Sequence, residues 1–240
     1  MRATVARMRS RDARGSPVTP PLGAPRGLLG VVILAVLVVF GVTGDEPTVT
    51  GHRVLVIGDS LTEGSAAQVD QTLRASGWDP HVWGIAGTSI GEWGSLAASS
   101  AQSTRPDIAV VELGTNNCLD WCRPLGPEID VIVSGLLTEG VRRILWVNVQ
   151  EDAPLPKHPQ FVNDEIERAI VRWPQVSMID LNANFAAHPE WRMPDGLHFN
   201  DQGKQIYAEL VDRALRSATT RSSGSFGPRG TSPTTVARGA

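Results

Sequence analysis

Ser60, Gly87, Asn116, Asp195 and His198 together make up the parts list of a nucleophilic acyl-transfer site. They sit in four short stretches: Gly58-Asp59-Ser60-Leu61, Gly87, Gly114-Thr115-Asn116-Asn117, and Asp195-Gly196-Leu197-His198. A hydroxyl attacks poorly until a base takes its proton, and an imidazole base works best when a carboxylate fixes its tautomer and steadies the imidazolium. Ser60 is the expected nucleophile, His198 the general base, and Asp195 the orienting acid three residues before it. The backbone N–H groups of Ser60 and Gly87 and the side-chain amide of Asn116 are the expected oxyanion donors. One such donor contributes about 3 kcal/mol to the barrier. Each residue also has a plainer use. Ser60 or Asp59 can cap a helix, Gly87 and Asn116 can make turns at strand ends, and Asp195 can form a turn before Gly196. Their joint occurrence, in this order, favours the catalytic reading.

These groups need a frame that brings them together. Between about residues 45 and 216, apolar runs alternate with helix-like segments. Strands are expected at Arg53–Ile57, His81–Ile85, Asp107–Leu113, Arg143–Val149 and Val176–Leu181. Helices are expected at 61–76, 90–103, 127–139, 159–173 and 201–215. Nearly continuous apolar strands separated by amphipathic helices imply a parallel sheet covered on both faces. The expected fold is therefore a three-layer α/β/α sandwich on a mostly parallel five-stranded sheet. Such sheets gather functional groups at the carboxyl ends of their strands. Ser60, Gly87 and Asn116 each fall just past an expected strand.

The flanks differ from this domain. Residues 1–26 form a basic leader that contains Arg2, Arg7, Arg9, Arg11, Arg14 and Arg26. Residues 27–44 are uncharged and apolar, with Leu28 to Phe40 at their centre. A basic flank before an apolar run keeps the arginines in the cytoplasm and sends the following chain across the membrane. The run is expected to be a transmembrane anchor or a cleaved signal peptide, either of which places the domain outside the cytoplasm; the alternative is a buried core helix, which seldom follows an arginine-rich leader. Residues 217–240 are rich in Ser, Thr, Gly, Pro and Arg and lack apolar periodicity, so a disordered tail is expected. The net charge of -3 singles out no partner, and nothing suggests a metal, a cofactor or nucleic acid.

Cys118 and Cys122 are the only cysteines. On a helical turn their Cα atoms would lie about 6 Å apart, within the range a disulfide tolerates. No further ligands sit at zinc spacing nearby, and outside the cytoplasm such a pair oxidises readily. A disulfide here would stiffen the loop that follows Asn116. Trp93 and Trp121 could stack on a sugar, with core packing the expected use of both.

The four stretches, taken in order, resemble the blocks of the SGNH/GDSL hydrolase family. Gly58-Asp59-Ser60-Leu61 is similar to the first block and Gly84-Ile85-Ala86-Gly87-Thr88 to the second, although the asparagine often found near the start of that second block is missing. Gly114-Thr115-Asn116-Asn117 is similar to the third block and Asp195-Gly196-Leu197-His198 to the last. The resemblance spans about 52–216. It implies the flavodoxin-like sandwich of that family, a Ser60–His198–Asp195 triad, and an oxyanion hole from Ser60, Gly87 and Asn116. It implies an ester hydrolase that forms an acyl-enzyme, with acyl esters as substrates and no cofactor. Trp146-Val147-Asn148-Val149, Phe161-Val162-Asn163, Ile179-Asp180-Leu181 and His188-Pro189-Glu190-Trp191 further resemble the SGNH domains of bacterial cell-wall O-acetyltransferases. That likeness implies an alternative, transfer of acetyl groups onto envelope carbohydrate, with the acetyl-delivering part a separate protein. A third reading is a non-enzymatic, membrane-anchored envelope-binding module, which the intact set of reactive residues disfavours.

Overall fold

The computed structural model describes residues 53–223, with backbone alone for 220–223. The leader, the apolar run 27–44 and the chain beyond 223 lie outside the described residues, as do the expectations that rest on them. Among the described residues no helix is long and apolar enough to cross a membrane.

Five strands form one sheet: β1 (Arg53–Gly58), β2 (Asp79–Gly84), β3 (Ile108–Glu112), β4 (Arg143–Val147) and β5 (Val176–Ile179). Their spatial order is β2-β1-β3-β4-β5, and every neighbouring pair is parallel. Parallel neighbours need crossover connections, and the helices supply them. These are α1 (Ser60–Ala75), α2 (Gly94–Thr104), α3 (Gly126–Thr138), α4 (Pro159–Arg172), the short α5 (Leu181–Phe185) and α6 (Asp201–Ser223).

Successive side chains of a strand point to opposite faces. In β1, Leu55 and Ile57 join a core with Ile129, Ile132 and Val133 of α3 and Val162 and Ile166 of α4. Val54 and Val56 join the opposite core, with Leu61, Val69 and Leu73 of α1 and Tyr207 and Val211 of α6. Both faces of the sheet are thus buried, which is why the strands read as unbroken apolar runs. The three-layer sandwich expected from the sequence is the fold observed.

The differences are local. β2 begins at Asp79-Pro80, earlier than expected. It is an edge strand, where a proline removes no ladder hydrogen bond that the sheet requires. The helix expected over 90–103 is a 3-10 turn, Ile90–Trp93, followed by α2. The Ser89–Glu92 capping box defines the start of that turn. The five-residue α5 was not foreseen, being too short to show a period. α6 runs to Ser223, so the expected start of the disordered tail at 217 falls inside a helix. Ala214 and Ala218 pack against the core there, and no helix-breaking residue occurs before Gly224.

Strand order reverses between β1 and β3, because the chain leaves β1 toward β2 and returns to β3 on the other side. A crevice opens beyond the carboxyl ends of the strands at such a point. Ser60 follows β1 and Asn116 follows β3.

Candidate active site

Ser60 is the first residue of α1, and Asp59 is its N-cap, with the Asp59 carboxylate accepting from the Leu61 N–H. The turn is tight because position 58 is glycine. A Cβ there would lie 2.6 Å from the Glu112 carbonyl oxygen and would strike Thr62. The plain capping role therefore falls to Asp59, leaving the Ser60 hydroxyl half-buried and directed elsewhere.

That hydroxyl meets His198. Ser60 Oγ lies 3.0 Å from His198 Nε2, and His198 Nδ1 lies 2.8 Å from Asp195 Oδ2. Asp195 Oδ1 accepts the backbone N–H groups of Leu197 (2.9 Å) and His198 (3.0 Å), which locks the turn that carries both residues. The Leu197 N–H first, and then the His198 ring, hold the Asp195 carboxyl below the usual carboxylate range. An ionised Asp195 can only accept, so Nδ1 carries the proton and Nε2 presents a lone pair to the Ser60 hydroxyl. This arrangement can take a proton from Ser60 as its oxygen attacks an acyl carbonyl.

The His198 loop is tied down by residues the sequence reading missed. Arg192 is 9% exposed. Its Nε donates to Gln150 Oε1 (2.7 Å), and Nη1 and Nη2 make a bidentate pair with Asp152 (3.0 and 2.7 Å). Nη2 also reaches the Phe185 carbonyl (3.3 Å). Gln150 Nε2 in turn donates to the Leu197 carbonyl (3.3 Å). The Met193 N–H to His198 carbonyl bond (2.7 Å) and an antiparallel bridge between Arg192 and Phe199 close the loop on itself.

Gly87 and Asn116 lie on the same side. Gly87 has φ +77, a conformation that glycine adopts without strain, in the turn where Thr88 N–H reaches the Ile85 carbonyl (3.3 Å). Asn116 Nδ2 donates to Asp59 Oδ2 (3.2 Å) and to the carbonyl of Thr88 (3.1 Å). Both hydrogens of that amide are therefore engaged, and an oxyanion would have to displace one of these partners. Asn117 has a separate duty, its Oδ1 accepting the Ile90 N–H (3.1 Å) that opens the 3-10 turn.

Two buried acids stand behind Ser60. Burial pushes Asp59 up to about 6 against the lowering effect of the Leu61 N–H. Burial, and then the Asp59 charge, hold Glu112 well above the usual range. Glu112 ends a strand that is otherwise apolar, and that misplaced charge was the available signal.

Cys118 and Cys122 are disulfide-bonded with Cα atoms 4.6 Å apart. The bond closes an irregular loop with Cys118 at φ +53, not the helical turn expected. Trp93 is fully buried as expected, but Trp121 stands 70% exposed inside the disulfide loop. A groove of about 410 Å³ between β5 and α6 contains none of the reactive residues. Among the described residues no group of His, Cys, Asp or Glu could hold a metal ion.

The sequence profile of the GDSL-like Lipase/Acylhydrolase family matches residues 56–206, more than half of the chain. The chain belongs to the GDSL-like lipase/acylhydrolase family. It is an esterase of the SGNH type, as the four sequence blocks implied. YrhL of Bacillus subtilis (strain 168), which bears the provisional name peptidoglycan O-acetyltransferase, is 25% identical over 174 residues. That match covers 72% of this chain, which spans about a quarter of the length of YrhL. Solved structures share the fold of this GDSL-like chain, two of them from envelope or carbohydrate-acting proteins by their names. One is the C-terminal catalytic domain of peptidoglycan O-acetyltransferase A from Streptococcus pneumoniae with a methylsulfonyl adduct. It has a TM-score of 0.56 and 18% identity over 71% of this chain and 96% of that one. The other is a carbohydrate esterase family 3 protein from Talaromyces cellulolyticus. It has a TM-score of 0.60 and 18% identity over 71% of this chain and 99% of that one.

Proposed function

We propose that the protein hydrolyses acyl esters through an acyl-enzyme on Ser60. His198 takes the Ser60 proton as Oγ bonds to the ester carbonyl carbon, then delivers it to the departing alcohol oxygen. Water repeats the sequence in the second half and releases the acid, regenerating Ser60. Asp195 keeps the imidazole in the tautomer this needs. The Ser60 N–H, the Gly87 N–H and the Asn116 amide stabilise the carbonyl oxygen as it gains charge. The observation that carries this reading is the unbroken hydrogen-bond chain from Ser60 Oγ through His198 to Asp195.

The substrate we assign is a short acyl ester on carbohydrate of the cell envelope. The arginine-rich leader before the apolar run, together with the disulfide, supports an extracytoplasmic domain held by the membrane or released from it. The likeness to YrhL supports a second reading, in which a sugar hydroxyl replaces water and accepts the acyl group. The same residues serve both reactions.

The purified full-length chain, incubated with p-nitrophenyl acetate, tests both. Nitrophenol release that yields acetate with or without a glycan acceptor supports the hydrolase. Release that depends on the acceptor and yields acetylated glycan supports the transferase. No release, and no adduct on Ser60 from a fluorophosphonate probe, removes both.

A further inference from the structure

Asp59 and Glu112 are acids, both nearly inaccessible at 0% and 2% exposed. The Asp59 N–H donates to the Glu112 carbonyl (3.2 Å), which sets the two residues side by side at the ends of β1 and β3. Burial raises both carboxyls, and the Asp59 charge raises Glu112 further.

Their other contacts lead to the reacting groups. Glu112 Oε2 accepts the Thr62 N–H (3.2 Å) and the Thr62 hydroxyl (3.0 Å). Asp59 Oδ1 accepts the Leu61 N–H (3.0 Å), and Oδ2 accepts one N–H of Asn116 (3.2 Å). Thr115 and His198 also favour the charged form of Asp59. From α6, the buried Tyr207 phenol faces the pair; burial and then the Glu112 charge hold it well above its usual range, so it stays neutral.

We infer that Glu112 and Asp59 form a positioning relay that aims the Asn116 amide at the carbonyl oxygen of the substrate. The inference rests on reading Ser60 as nucleophile and Asn116 as oxyanion donor. A side-chain amide is planar, so fixing one of its two N–H bonds fixes the direction of the other. Asp59 holds the first. The second rests on the Thr88 carbonyl and passes to the substrate oxygen as that atom gains charge, since an anionic oxygen is the stronger acceptor. Glu112 takes the N–H and the hydroxyl of Thr62 in the first turn of α1, the helix that Asp59 caps, and so fixes the turn from which Oδ2 reaches Asn116.

The test is kcat and KM of the full-length chain on p-nitrophenyl acetate. Asp59→Asn sets an amide donor against the donor of Asn116, and kcat falls about 10²-fold while KM stays within about twofold. In an Asn116→Ala background the same change costs less than about twofold, because nothing remains to be aimed. Glu112→Gln keeps an acceptor for Thr62 and holds kcat within about threefold of the wild type, whereas Glu112→Leu loses about as much as Asp59→Asn. Circular dichroism and melting confirm that each variant folds. A full Asp59→Asn loss in the Asn116→Ala background overturns the relay and leaves the triad standing, as does Glu112→Gln falling as far as Glu112→Leu. An Asn116→Ala variant with unchanged kcat overturns the oxyanion reading, and the relay with it. Turnover by Ser60→Ala overturns the nucleophile itself.

Discussion

The ring of His198 and the hydroxyl of Ser60 are 138 residues apart in sequence and 3.0 Å apart in space. Two independent pieces of packing bring this about. The α1–α6 contact on one face of the sheet stacks the amino-terminal helix against the carboxyl-terminal one. The buried Arg192 then pins the loop between α5 and α6 to the residues that follow β4. Ser60 is thus set by the β1–α1 turn, and His198 by a strap from elsewhere in the fold.

Removing the nucleophile is the simplest consequence. Ser60→Ala is expected to lower kcat by about 10⁵-fold or more, to whatever the oxyanion donors supply alone. Asp195→Asn is expected to lose about 10²- to 10⁴-fold, because the amide no longer stabilises the imidazolium or selects the tautomer. Ser60→Ala keeps the wild-type melting temperature, whereas Asp195→Asn melts slightly earlier at neutral pH, because the carboxylate holds the Leu197 and His198 N–H groups. Steady-state kinetics beside a melting curve checks this, and wild-type kcat in Ser60→Ala contradicts it.

The buried acid pair makes a prediction about stability and pH. Glu112 is held well above its ordinary value in the fold and returns to that value when the chain unfolds. The folded state therefore binds the more protons above the unfolded-state value, and stability is lost as pH rises through that window. Glu112→Gln carries no such penalty. Its melting temperature relative to wild type is expected to rise from pH 4.5 toward pH 8 and to show no advantage at the acid end. A difference that stays flat with pH would mean that Glu112 is ionised in the folded protein. Asp195, whose carboxyl is lowered, acts in the opposite sense: its contribution is present above the unfolded value and is lost as pH falls.

Much of this was legible before any coordinates. Val54 to Ile57 and Ile108 to Val111 read as buried parallel strands because burial on both faces leaves no room for alternation. Ser60, Asn116 and His198 could be picked out because nucleophile, amide and base each followed a strand or preceded a helix. What stayed hidden was anything requiring knowledge of a partner. Arg192 looks like a surface arginine until Gln150 and Asp152 are placed around it. Engagement of both Asn116 N–H groups depends on a Thr88 carbonyl that no spacing reveals. Trp121 was expected in the core and stands exposed in a loop whose irregular course the sequence does not carry.

The strap around Arg192 is a separate target. Arg192→Met keeps an unbranched apolar stem but leaves Gln150 and the Phe185 carbonyl without their donor. Asp152 can hydrate because it is partly exposed, so the loss is expected to be about 2–3 kcal/mol in urea unfolding, not the larger cost of a stranded buried charge. Release of the His198 loop should also lower kcat by about tenfold with the nucleophile intact, readable as slower but complete fluorophosphonate labelling of Ser60. An unfolding free energy within about 0.5 kcal/mol of wild type would show that the strap carries no stability.

Reduction of the Cys118–Cys122 bond gives the last prediction. The closed ring is small, so the chain-entropy gain is about 2 kcal/mol, equivalent to about 4–8 °C in melting temperature for a domain of this size. The loop begins two residues after Asn116, whose amide is anchored on the far side by Asp59 and Thr88. Because those anchors do not involve the loop, the Cys118→Ala/Cys122→Ala variant is expected to melt earlier yet keep its kcat on a small ester such as p-nitrophenyl acetate. Loss on a larger acylated glycan alone would assign the exposed Trp121 and Leu119 to contacts beyond the acyl group. Equal loss on both substrates would show instead that the loop does position Asn116, against the division of labour argued here.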